Sequence, residues 1–163
     1  MMNPNAFLSE QTKICQGLQP KAPSSDTPNY VSLKGYNKCT ILISFANGTT
    51  VTGSAIALKQ ATTIAGGGVK ALPFSTARRN IDISANQDLA DFTVSSNTFT
   101  MDATNSKNGF YEITVDESML DIAGGFDVIR ADTGNTTNQT VSVVYILWPA
   151  KYGKSTPPSA VVD

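Results

Sequence analysis

The chain has 163 residues, of which 40% are hydrophobic and 15% charged, with a formal net charge of -1 and no histidine. One domain of about 100 to 200 residues fits that length, and a charge balance without excess Lys and Arg excludes nucleic acid as a principal partner. The charged share is low against the roughly 25% of ordinary soluble proteins. Ser, Thr, Asn and Gly fill the difference, and such groups leave water at less cost than charges do, which suits extensive protein contact.

Residues 1–29 read as an extended N-terminal arm. "MMNPNAFLSEQTKICQG" has no basic stretch followed by about 7 to 15 apolar residues, and no window approaches the ~18 apolar residues of a membrane span. A protein made in a cytoplasm and without a membrane partner is expected. The arm carries the apolar anchors Phe7, Leu8, Ile14 and Leu18 before "QPKAPSSDTPN", whose three prolines oppose helix and central strand alike. Such a segment is ordered only where something holds it. Cys15 and Cys39 are too few for a disulfide scaffold and, without histidine, make no recognisable zinc site. Both are expected as reduced thiols, with Cys39 buried.

From Tyr30 the pattern turns to β. "YVSLKG" begins an alternation, and "CTILISF" is dense in β-branched and aromatic residues up to Asn47-Gly48. That dipeptide is the strongest short hairpin signal, because both central positions of a type I′ turn need positive φ. "TTVTGSAIALKQA" is then the returning strand, with Gly53 marking a bulge or a close backbone approach. "GGGVKALPFS" has neither the GxxxxGK[ST] nor the GxGxxG spacing, so its glycines predict a turn rather than a phosphate cradle. Alternation continues at Ile81 and Ile83, at Phe92 and Val94, at Phe99 and Met101, and through Phe110, Ile113 and Val115.

Glu117 to Ala123 is the one short helical candidate, with acidic residues at its start and Gly124 as its stop. "FDVIRAD" and "TVSVVYILW" complete the set. In the latter Val144 and Ile146 are apolar as well as Val141, Val143, Tyr145 and Leu147, so cover on both faces is expected. About eight short strands spaced by polar turns at about 8 to 12 residues predict an all-β, antiparallel β-sandwich or barrel over 30–152. Residues 153–163, with two consecutive prolines, form a C-terminal tail outside that core.

No catalytic, cofactor or metal site is expected. Acid-base work at neutral pH would fall to carboxylates, lysine, tyrosine or cysteine. Asp82, Asp88 and Asp91 form one sequence cluster, and Asp116, Glu117 and Asp121 a second. Paired carboxylates serve glycoside hydrolysis or calcium, but "DISANQD" lacks the glycine and terminal glutamate of an EF-hand loop, and solvated turn carboxylates are the default reading. No GxSxG elbow is present. The sequons at Asn47, Asn135 and Asn138 are read as turn asparagines. Arg78 and Arg79 form an adjacent basic pair able to fork onto a partner's carboxylates.

Taken in order, the proline-bearing arm, "YVSLKGYNKCTILISFANGTTVTGSAIALKQA", "GGGVKALPFS", "TNSKNGFYEITVDESMLDIAGGFDVIRAD" and "TVSVVYILWPAKY" give a run that resembles small virion proteins of tailed bacteriophages. It looks most like their jelly-roll capsid decoration, or cement, proteins. The resemblance implies a jelly-roll-like sandwich on the outside of the capsid, synthesised in the bacterial host cytoplasm. It also implies a homotrimer that clamps adjacent subunits of the major capsid protein and does no catalysis. The expected contacts are Phe7, Leu8, Ile14, Leu18, Arg78, Arg79, Trp148 and Tyr152. The long N-terminal arm departs from the family pattern. The alternatives are a head-fibre, tail-associated or carbohydrate-binding module, and a carboxylate-dependent hydrolase.

Overall fold

The computed structural model of the chain describes residues 5–23, 27–85 and 88–151. Its strands are β1 (Lys13–Lys21), β2 (Val31–Ser32), β3 (Tyr36–Asn47), β4 (Ala55–Ala61), β5 (Lys70–Ala71), β6 (Thr76–Asn80), β7 (Ala90–Thr93), β8 (Thr98–Thr100), β9 (Asn108–Asp116), β10 (Val128–Thr133) and β11 (Gln139–Ala150). One sheet has the order β1-β11-β3-β9-β6-β7 and the other β2-β10-β4-β5, with β8 against β4. All pairings are antiparallel. The chain is therefore an all-β sandwich, one of the two architectures expected from its strand spacing, and its successive strands repeatedly cross between the sheets.

The core follows from alternation. Val141, Val143, Tyr145 and Leu147 of β11 point inward beside Cys39, Ile41, Ile43 and Phe45 of β3 and Tyr111, Ile113 and Val115 of β9. Ile56, Leu58, Leu72, Ile129 and Ala131 meet them from the second sheet. Burying each such aliphatic or aromatic side chain contributes about 1.5 to 3 kcal/mol. Tyr145 also ties the layers: its hydroxyl accepts from the Ala131 amide and donates to the Asn29 carbonyl, both at 3.1 Å.

The Asn47-Gly48 hairpin does not form. β3 and β4 belong to different sheets, so residues 48–54 cross the sandwich instead of turning back along β3. The left-handed residue of this stretch is Thr50, at φ 59, rather than Asn47 or Gly48. Asn47 is buried and its side chain serves a polar network. Its amide donates to the Asp102 and Thr104 carbonyls at 3.1 and 2.9 Å, and its oxygen accepts from Gln139 Nε2 at 2.7 Å. Gln139 in turn accepts from the Ser54 amide at 3.0 Å, and the Tyr111 hydroxyl accepts from the Asp102 amide at 2.8 Å. This network closes one end of the sandwich. Of the other sequon asparagines, Asn138 does occupy a turn, at φ 54.

The arm reading of 1–29 is also corrected in part. A short helix, α1 (Leu8–Gln11), leads into β1, which pairs with β11 as an edge strand. Pro20 is tolerated there because an edge strand needs only half of its backbone groups. Cys15 and Leu18 are buried in the core, 6% and 3% exposed. Both thiols are free. β11 lies between their strands, which sets them about 10 Å apart, beyond the ~7 Å that a disulfide spans.

Smaller departures share one cause, local turn chemistry. Ile83 lies in a 3-10 turn, Ile83–Ala85, and is exposed. The helical candidate splits into two 3-10 turns, Glu117–Met119 and Ile122–Gly124, and the left-handed stop is Gly125 at φ 81 rather than Gly124. On β9 it is Tyr111 that faces inward, so Phe110 faces out.

Candidate functional site

An antiparallel sheet with one solvated face normally alternates apolar-in and polar-out. The outer face of the six-stranded sheet departs from that rule. Across it, Ile14 of β1 lies opposite Ile146 of β11, and Val144 lies between Gln16 and Leu42. Leu42, Val144, Ile146 and Trp148 are half-buried and Ile14 is exposed. Trp148 thus lies on the outer face, not in the core; its Nε1 donates to Thr40 Oγ1 at 3.0 Å, and Lys38 Nζ stands 5.8 Å from the ring centre.

Towards β6 and β7 the same face becomes charged. Leu42 is followed across the register by Glu112, Arg78 and Asp91. Arg78 Nε donates to Asp91 Oδ1 at 2.8 Å, so the guanidinium already has a carboxylate within its own sheet. Arg79 is exposed but lies 5.1 Å from the Phe92 ring and flanks the Phe92, Phe99 and Tyr111 aromatic cluster. The pair is split between two environments instead of forming one fork.

The remaining predicted contacts gather at the opposite edge. Phe7, at 79% exposure, and Leu8, at 45%, stand at the start of α1, and Ile14, at 46%, follows on β1. The turn is held locally: the Phe7 amide donates to the Glu10 carboxylate at 2.8 Å, and the Thr12 hydroxyl donates to the Leu8 carbonyl at 2.8 Å. Leu18 does not join them, because the register with β11 shifts on either side of it and turns it into the core. Tyr152 lies outside the described residues. The signal for the outer-face stripe was the continuous apolar run Val143 to Trp148, which strict alternation does not require.

The two carboxylate clusters do not meet, whereas Asp116, Glu117 and Asp121 of the second line one open hollow of about 710 Å³ beside Lys38. Asp82 contacts Lys107, just before β9, whereas Asp116 ends that strand, so these two carboxylates stand about 25 Å apart. Glycosidic pairs need about 5 to 10 Å. Asp91 takes Arg78, Glu117 contacts Lys151, and Asp121 contacts Lys70. Among the described residues no three His, Cys, Asp or Glu side chains are placed to hold a metal ion.

Hydrogen bonding from Lys107 and then Ser84 holds the Asp82 carboxyl below its ordinary value of 3.8. The Ser118 amide does the same for Asp116, and Lys70 followed by the Gly124 amide for Asp121. A depressed native pKa gives stability above the unfolded value and loses it as pH falls through the native one. The thermal midpoint should therefore be flat from about pH 8 to about pH 5 and fall below about pH 4. Calorimetry across that range checks this, and a midpoint that rises on acidification would contradict the assignment.

Comparison of the chain with protein-family models, with curated proteins and with solved structures yields no match.

Proposed function

We propose that the chain is a non-enzymatic virion protein of a tailed bacteriophage, a capsid decoration protein that lies on the outside of the head and bridges subunits of the major capsid protein. One observation carries the reading: the apolar stripe Leu42, Val144 and Ile146 on the outer face of the six-stranded sheet, in a protein whose core is already complete on the inner face. Exposed apolar patches of this kind mark contact surfaces. The low charged fraction of 15% and the sequence-order resemblance support the same direction. Binding would be multivalent, since modest interfaces repeated over a closed lattice give large avidity. A carbohydrate-binding module would want an open aromatic platform, and the half-exposed rings of Trp148 and Phe126 and the buried Tyr30 each have a cation over them, Lys38, Lys70 and Arg130.

The test uses heads assembled from the candidate phage's major capsid protein. Leu42→Lys and Val144→Lys, each on a half-buried outer position, should reduce head occupancy at least about tenfold, equivalent to about 1.4 kcal/mol, with circular dichroism unchanged. Lys59→Ala on the second sheet should leave occupancy alone. Unchanged occupancy in both lysine variants would sink the proposal.

A further inference from the structure

We infer that the chain forms a twofold dimer by pairing the edge of β1 with the same edge of a second copy. The surface is the sheet edge, not the face assigned to the capsid, so this inference goes beyond the decoration reading. β1 closes one side of the six-stranded sheet, and an open edge invites another strand. Its second half is already covered: the Asn29 amide donates to the Gly17 carbonyl at 2.8 Å, and Pro20 follows. β1 is regular over Lys13 to Gln16, and among the described residues no strand pairs with the other side of that window.

Beyond Lys13, the window has no charged side chain. Of the six large hydrophobic side chains that are well exposed among the described residues, three (Phe7, Leu8 and Ile14) lie within or just before it. Side chains directly opposite each other across an antiparallel pair share a face, so a twofold axis normal to the sheet must pass midway between one residue and its own copy. Ile14 is the exposed apolar residue in the window. Centring there sets Ile14 against Ile14 of the second copy, and Lys13 opposite Cys15 rather than opposite another lysine.

The ends then complement each other. Two extended residues and the single helical turn place Phe7 about 14 Å along the edge from the axis. An equal distance the other way reaches Leu18 and Gln19 of the second copy. There a hollow of about 330 Å³ is lined by Gln16, Gly17, Gln19, Lys21, Thr27 and Asn29. Phe7 fills it, and this contact occurs twice, as an isologous interface requires.

Sedimentation equilibrium of the full chain from about 1 µM to about 100 µM should show a monomer-dimer equilibrium. Ile14→Lys and Phe7→Ser should each weaken it at least about tenfold, while Ile83→Ser, exposed elsewhere, should not. Ile14→Cys treated with oxidised glutathione should give a covalent dimer, because the two introduced thiols meet at the axis. A monomer throughout, a trimer, or a dimer indifferent to both edge substitutions would overturn the inference. Head binding reads the face independently: loss of dimer with retained head occupancy, or the reverse, separates failure of this inference from failure of the decoration reading.

Discussion

Replacing Asn47 with alanine should cost about 3 kcal/mol of folding stability, although a sequence reader would place that residue in a surface turn. The side chain makes three hydrogen bonds at 3.1, 2.9 and 2.7 Å, and it is 7% exposed. Removing it strips the Asp102 and Thr104 carbonyls of a donor and leaves Gln139 Nε2 with only a 3.2 Å bond to the Asp102 carbonyl. A buried polar group left unsatisfied costs about 1 to 3 kcal/mol, far more than a satisfied bond contributes. Asn47→Asp is the sharper variant: it keeps shape and acceptor, but replaces the two donations with an oxygen facing two carbonyl oxygens. Both variants should lower the urea midpoint, and Asn135→Ala, at an exposed sequon in the same end of the molecule, should move it by no more than about 0.5 kcal/mol. Equal effects at Asn47 and Asn135 would mean that the network does not hold the end closed.

What the sequence reveals depends on whether a residue's neighbours in the chain decide its place. β11 was legible because its inward residues repeat every second position and its core partners impose nothing else. The outer-face stripe was legible in the same segment, since Val144 and Ile146 break an alternation that water would otherwise enforce. Asn47-Gly48 misled because a local turn preference of about 1 kcal/mol lost to a tertiary demand: the crossing to β4 and the amide network together outweigh a type I′ turn. β1 was hidden by Pro20 and the prolines that follow it, which argue against strands in general but not against an edge. Arg78 and Arg79 obscured β6 because one charge lies on the outer face beside Asp91 and the other rests on Phe92, neither of which a hydrophobic pattern can signal.

The two ends of the six-stranded sheet's outer face differ in how their side chains are satisfied. The charged end of the six-stranded sheet, Glu112, Arg78 and Asp91, is internally paired, so it presents little net field. The apolar end combines an outward stripe with an open strand edge. The edge of β1 is covered at Gly17 by the Asn29 amide and interrupted at Pro20, and among the described residues no strand pairs with it over Lys13 to Gln16. A sheet edge offers directional backbone hydrogen bonds and a face offers area.

Gly109→Ala and Gly53→Ala should each destabilise the fold by about 3 kcal/mol, through the close approach of backbones rather than through φ. A Cβ at Gly109 would stand 2.0 Å from the Asn80 carbonyl oxygen and 2.9 Å from the Phe45 ring. Gly109 opens β9 beside β6, so relief would mean moving the Asn80 backbone that ends β6 and the turn after it, where Asp82 meets Lys107. A Cβ at Gly53 would stand 2.2 Å from the Met101 carbonyl oxygen, where the chain enters β4 next to the buried Ser54. Neither obstacle is the free end of a side chain, so neither can swing aside. Chemical denaturation of the two variants checks the prediction, and losses below about 1 kcal/mol would show that the two sheets can separate locally at this end. In that case the Gly53 variant should regain nothing from Asn47, and the double substitution would be additive, whereas a shared closed end predicts coupling of about 1 kcal/mol between the two sites.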